Sequence, residues 1–122
     1  MEFFEIPIKD LPLYSYDYDS DYPAEGKALK DAIASADALL FVTPEYNRAL
    51  GTALAQQSLR GVLSFCDSPQ MNAPEAYVRF KPDVFTDDGE VVDEHTERFL
   101  RDFMEEFRDH VVRVLTVLPR KS

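Results

Sequence analysis

One short stretch, Thr43-Pro44-Glu45-Tyr46-Asn47, combines residue types that can hold a planar ligand. Pro44 rigidifies the chain, Asn47 tolerates unusual backbone angles, and Tyr46 offers an aromatic face to a flat ring. The stretch follows a run of apolar residues, and ligands of open α/β sheets bind at the carboxyl ends of the strands. The residues alone leave two interpretations open: a binding loop, or a plain strand-to-helix connection.

Two other patterns could be taken for metal sites. The acidic run 17–21 begins like a calcium loop, but Tyr22 stands where such loops have glycine and Ala28 where they have glutamate. We therefore expect a solvated loop. His95 and His110 lie fifteen residues apart on one predicted helix, a separation of about 22 Å. They cannot share a metal ion, so no metal site is predicted and both histidines are expected at the surface.

Two further side chains could do chemistry only with a partner that the sequence does not show. Glu45 could act as a general base and Cys66 as a nucleophile, but neither has a partner at a diagnostic spacing. Cys66 lies on the apolar face of a predicted helix and is expected to be a buried packing residue. Since the sequence contains no triad, zinc pattern or glycine-rich phosphate loop, we assign no catalytic residue.

The composition restricts the class of partner. The 122 residues carry a formal net charge of −10, which argues against nucleic acids and anionic membrane surfaces, because both select for lysine and arginine patches. A single cysteine and the lack of a signal-peptide pattern favour a cytoplasmic protein. No stretch reaches the roughly 18 apolar residues of a membrane span. Length and apolar content predict one domain over residues 1–122.

The elements that must position these residues follow from the hydrophobic pattern. Strands are expected at 3–8, 38–42 and 76–80, and helices at 24–36, 52–66 and 93–118. Because the run 38–42 is apolar throughout, it predicts a strand that is covered on both faces of a sheet. The order β-α-β-α-β-α indicates an α/β fold with a parallel sheet and right-handed crossovers.

Two predicted helices have apolar faces that should be buried. On helix 52–66 the inward residues are expected to be Leu54, Ser58, Leu59, Val62, Leu63 and Cys66. On the last helix, which Asp93 caps and Pro119 ends, the stripe comprises Phe99, Leu100, Phe103, Met104, Phe107, Val111, Val114, Leu115 and Leu118. At about 39 Å this helix exceeds the diameter of so small a domain, so we expect it to fray or to pack on another subunit.

Four segments resemble the NADPH-dependent FMN reductase family, whose fold is flavodoxin-like. Residues 6–14 (IPIKDLPLY) are similar to its second strand and the next loop, and 36–47 (ADALLFVTPEYN) to its third strand and flavin loop. Residues 51–80 resemble the following helix, loop and fifth strand, and 87–107 resemble the terminal helix and its approach. The resemblance implies an α/β, flavodoxin-like, three-layer parallel sheet that is incomplete, with three recognisable strands and three helices.

The resemblance also implies that two segments are missing. Family members usually begin with a strand and a loop that cradles the FMN phosphate, whereas this chain starts at the second strand. Members also continue from Pro-Glu-Tyr-Asn into a helix, a fourth strand and a glycine-rich loop, whereas here Leu50 is joined directly to Gly51. Three explanations stay open: a deletion product, a portion of a longer protein, or strands that re-pair, between subunits included. In the family strand order 2-1-3-4-5, the retained strands 2, 3 and 5 are not neighbours.

For the chemistry, the resemblance implies hydride transfer from NADPH to FMN and on to an acceptor such as a quinone, done by the cofactors rather than by an acid or base side chain. The cofactor-binding residues that it implies are Pro44, Glu45, Tyr46, Asn47 and Gly51, acting largely through backbone groups. Exposed strand edges favour a homo-oligomer with strand or helix exchange. The alternative is a degenerate, non-enzymatic interaction module of the same fold that binds no flavin.

Overall fold

The computed structural model describes residues 1–43, 53–78 and 81–119, and the chain divides into two compact units, Met1–Leu40 and Phe41–Ser122. The helices are α1 (Ala24–Ser35), α2 (Ala53–Phe65) and α3 (Glu94–Val117), and a 3-10 turn (Tyr16–Tyr18) precedes α1. The three predicted helices are therefore confirmed, with ends within one residue of those expected. The assignment of residues 1–122 to one domain stays a prediction.

The first unit contains the acidic run and α1. The Ser15 hydroxyl caps the 3-10 turn by accepting a hydrogen bond from the N–H of Asp17, and the Tyr14 hydroxyl donates one to the Asp19 carboxylate at 3.1 Å. The run 17–21 is exposed, as expected of a solvated loop. At the start of α1, the ring of Tyr22 leaves no room for a side chain on the buried Gly26.

The structure does not confirm the predicted strands at 3–8, 38–42 and 76–80. Residues 79–80 lie outside the described ranges, and the rest of these three segments carry no strand. A ladder requires a neighbouring strand at about 4.8 Å, and no other segment of the described ranges pairs with these three.

The burial expected for the middle strand and for α2 is also wrong. The run 38–42 was expected to be covered on both faces, but Val42 is 87% exposed. Of the residues expected to face inward on helix 52–66, four are exposed, namely Leu54, Ser58, Val62 and Cys66, whereas Leu59 and Leu63 are half-buried. Cys66, which follows α2, is therefore not a buried packing residue. Apolar faces that a complete sheet would cover are left in contact with solvent.

Helix α3 follows its sequence pattern more closely. The Asp93 carboxylate accepts a hydrogen bond from the N–H of Thr96 at 2.7 Å, which satisfies one of the free donors of the first turn. Phe107 is buried and the rest of the predicted stripe is half-buried, except Leu118, which is exposed. Of the two histidines expected at the surface, His95 is exposed and His110 is half-buried.

A tight hairpin at residues 86–90 leads into α3. The N–H of Thr86 donates to the carbonyl of Glu90 at 2.9 Å, and the N–H of Val92 donates to the carbonyl of Val84 at 2.8 Å. Gly89 adopts a φ of 85°, a conformation that costs glycine nothing but strains other residues. Phe85 and Val91 form an antiparallel bridge, the one β pairing found within the described ranges.

Polar contacts fasten α2 to the segment 70–77 that follows it. One Arg60 guanidinium nitrogen donates to the carbonyl of Met71 at 3.3 Å and to the Asn72 side-chain oxygen at 3.1 Å. Another lies 3.5 Å from the Glu75 carboxylate. In return, the Gln70 side-chain amide donates to the carbonyl of Arg60. These two side chains hold the segment in place where the apolar contacts are few.

Within the described ranges, each helix is too short or too polar to cross a lipid bilayer.

We predict that Asp93→Ala lowers the helical signal at 222 nm and the melting temperature, because the first turn of α3 loses its cap. The hydrogen bond to Thr96 holds the pKa of the Asp93 carboxyl below its ordinary value. A lowered pKa in the folded state means that the stabilisation is complete at neutral pH and is lost as the pH falls below about 4. The difference from the unchanged chain should therefore shrink in acid. Asp102→Ala, an exposed carboxylate in the middle of α3, is the control and should have little effect.

We predict that Arg60→Met lowers the free energy of unfolding by about 1 kcal/mol, because it removes the contacts to Met71, Asn72 and Glu75 while keeping the apolar stem. Chemical denaturation followed by circular dichroism gives the value. Arg98→Met, which removes an exposed arginine from α3, is the matched control. Equal stability of the two variants would contradict a structural role for Arg60.

Candidate functional site

The residues predicted to bind a cofactor, Pro44, Glu45, Tyr46, Asn47 and Gly51, all lie outside the described residues. Their assignment therefore stays a prediction. The structure describes the chain on either side of them: Thr43 is half-buried, and α2 begins at Ala53. Helix α2 is fastened to the segment after it by Arg60 and Gln70.

The helix N-termini whose caps are described are poorly suited to a phosphate. Phosphates bind there through free backbone N–H groups and the positive end of the helix dipole. Helix α1 has no side-chain cap but carries Glu25 in its first turn. In α3 the Asp93 carboxylate takes up the Thr96 N–H, and Glu94 and Glu97 add negative charge. Within the described ranges, neither of these helix N-termini offers a phosphate the uncompensated positive end of a helix.

The second unit contains an open groove of about 310 Å³ at the N-terminal end of α3, and it was not predicted from the sequence. Its lining residues are Tyr77, Val78, Lys81, Val84, His95, Thr96 and Phe99. One feature of the sequence could have indicated it, because Lys81 directly follows the predicted strand 76–80, a position where α/β proteins bind ligands. The lining combines apolar and aromatic side chains with two that can carry positive charge.

Tyr77 lines this groove, and its phenol does not ionise near neutral pH. Its hydroxyl donates a hydrogen bond to the Glu75 carboxylate at 2.8 Å, and this bond, with burial second, raises the pKa of the phenol above its ordinary value. The phenol therefore remains protonated, and its ring contributes contact area rather than acid-base chemistry.

Within the described residues, no three metal-ligating side chains come together.

Comparison with known proteins shows what the chain resembles. The profile of the family described as NADPH-dependent FMN reductase matches residues 1–55. A 2-hydroxy-1,4-benzoquinone reductase from Burkholderia sp. is 36% identical, over 84% of this chain and 75% of the relative. A quinone reductase from Pseudomonas putida is 32% identical, over 87% of this chain and 76% of the relative.

A solved structure agrees with these relatives. The flavoenzyme NAD(P)H:(acceptor) oxidoreductase FerB from Paracoccus denitrificans superposes with a TM-score of 0.82 at 31% identity, over 92% of this chain and 81% of that one. The Burkholderia alignment runs over 137 positions, more than the 122 residues present here, so it must leave gaps inside this chain. The fold is the flavodoxin-like α/β fold, and the chain belongs to the NADPH-dependent FMN reductase family.

Proposed function

We propose that this chain uses NAD(P)H to reduce FMN and passes the electrons on to a quinone. One observation carries the proposal: a relative 36% identical over three-quarters of its own length is a 2-hydroxy-1,4-benzoquinone reductase. The described residues offer no alternative acid-base or metal chemistry, and none is needed, because bound FMN supplies the hydride chemistry. The protein's part is to bind the ring system, to orient it and to exclude water from it.

We propose that Pro44, Glu45, Tyr46 and Asn47 hold the isoalloxazine edge, with Gly51 at its border. Support comes from the residue types, since the ring of Tyr46 can pack against a planar system and the peptide groups around Pro44 and Asn47 can serve its polar edge. Anchoring of α2 by Arg60 and Gln70 supports the far end of the loop. For the FMN phosphate, the described helix N-termini fit poorly, because carboxylates already stand there.

We propose further that the residues which the relatives have and this chain lacks fall at Leu50–Gly51. The gaps in the alignments support a missing internal segment. A missing fourth strand would leave the three retained segments, 3–8, 38–42 and 76–80, as an incomplete parallel sheet. It would also agree with the exposure of Val42 and of the apolar face of α2.

The exposed apolar side chains of α2 favour self-association. Phe65 is 92% exposed and lies on the same helix as the exposed Leu54 and Val62, a concentration of apolar surface that monomeric proteins rarely present. We propose a homo-oligomer that covers this face, with exchange of strands or helices between copies. A cytoplasmic location is part of the same proposal and is supported by the single cysteine.

The test of the enzymatic proposal is NADPH oxidation by the purified 122-residue chain with FMN and a benzoquinone. We expect a rate well above the uncatalysed background and quenching of FMN fluorescence at micromolar protein. A background rate together with unquenched FMN would contradict the proposal and favour the non-enzymatic interaction module.

The test of the site is the variant Tyr46→Ala. We predict that it weakens FMN binding by about three- to tenfold, the usual contribution of an aromatic contact, without loss of helical content. Tyr16→Ala, which removes an exposed tyrosine from the 3-10 turn of the other unit, is the control and should bind FMN unchanged. Equal losses in the two variants would show that the loop does not hold the flavin.

A further inference from the structure

The groove at the start of α3 contains two side chains that can carry positive charge, in a chain whose formal net charge is −10. Lys81 forms no ion pair or hydrogen bond through its ammonium group with any residue of the described ranges. His95 lies beside it on the rim, exposed to solvent. With 23 acidic residues in the chain, an unpaired lysine over a groove is a distinct electrostatic feature.

Two carboxylates that contact lining residues are engaged by other partners. Glu75 accepts the hydrogen bond of the Tyr77 hydroxyl and lies 3.5 Å from the Arg60 guanidinium. Asp93 accepts the hydrogen bond of the Thr96 N–H at 2.7 Å. Since the Lys81 ammonium forms no ion pair within the described ranges, its positive charge remains available to a ligand.

Backbone hydrogen bonds join Lys81 to the residues that follow it. The Lys81 carbonyl accepts hydrogen bonds from the N–H groups of Val84 and Phe85, both at 3.0 Å, and the Val84 carbonyl then pairs with the N–H of Val92 at 2.8 Å. Lys81 therefore belongs to the base of the hairpin that precedes α3. Across the groove, Phe99 and Val78 contribute apolar surface.

The size and chemistry of the groove define its ligand. A volume of about 310 Å³ is at the small end of ligand sites and admits one or two fused rings, but not a dinucleotide. The aromatic faces of Tyr77 and Phe99 favour a flat ring, and the ammonium of Lys81 favours an acidic substituent on it. We propose that this groove binds an aromatic carboxylate of one or two rings, held by Lys81 and His95.

This inference goes beyond the proposed function and does not depend on it, because the site needs no flavin. The test therefore uses the 122-residue chain without added FMN, and the probe is 2-naphthoate. Its neutral isostere, 2-naphthamide, has the same ring system and nearly the same shape. Isothermal titration calorimetry should give an affinity for 2-naphthoate about two- to fivefold above that for the amide, the size expected of one exposed charge contact.

Variants of the lysine separate its charge from its shape. Lys81→Met should abolish the preference for 2-naphthoate, whereas Lys81→Arg should retain it. Lys27→Met removes an exposed lysine from α1 in the other unit and should leave both affinities unchanged. Because the Lys81 side chain has no partner in the described ranges, circular dichroism should show that all three variants keep their helices.

Nuclear magnetic resonance locates the ligand independently of affinity. The chain has two histidines, so the ring proton signals of His95 and His110 can be assigned with one substitution each. We expect saturating 2-naphthoate to shift the His95 signal and to leave the His110 signal in place. Equal affinities for acid and amide, a preference that survives Lys81→Met, or an unmoved His95 signal would each overturn the proposal.

Discussion

A β-strand is stable only beside another strand that takes up its backbone hydrogen bonds, and this requirement determines what the present chain can form. The three segments that sequence indicates as strands carry no ladder where they are described. A ladder requires a neighbour at about 4.8 Å, and within the described ranges no segment pairs with them. Val42 and several side chains of α2 are exposed, as expected of apolar surfaces that no sheet covers.

What remains is held by short-range contacts. Helix α3 carries its own cap in Asp93, the hairpin before it closes through Thr86 and Val92, and α2 is joined to the following segment through Arg60. All of these join residues near one another in the sequence, so none depends on a complete sheet. The chain thus retains its helices and turns, although Phe107 is the one hydrophobic side chain that is buried within the described ranges.

The difference between contacts close in the sequence and pairing between distant strands also explains which features could be predicted. The helices and the turn at 86–90 were predictable because their periods, caps and glycine act locally. The strands were not, because a run such as 38–42 indicates a strand only if neighbours exist on both sides. The expected burial of Cys66 failed for that reason too. The groove under Lys81 was missed because it brings the end of one segment next to the start of α3. The flavin loop rests on family resemblance, since Pro44 to Asn47 lie outside the described residues.

We propose that the flavin is bound through its ring system and not through its phosphate, since the described N-termini of α1 and α3 carry carboxylates. The most direct measurement is a parallel titration of the 122-residue chain with FMN and with riboflavin, which lacks the phosphate, followed by flavin fluorescence. We expect dissociation constants that agree within about threefold, because neither of these two helix N-termini offers the phosphate a cradle. FMN binding about tenfold or more tighter than riboflavin would contradict this proposal and would show that the chain forms a phosphate site.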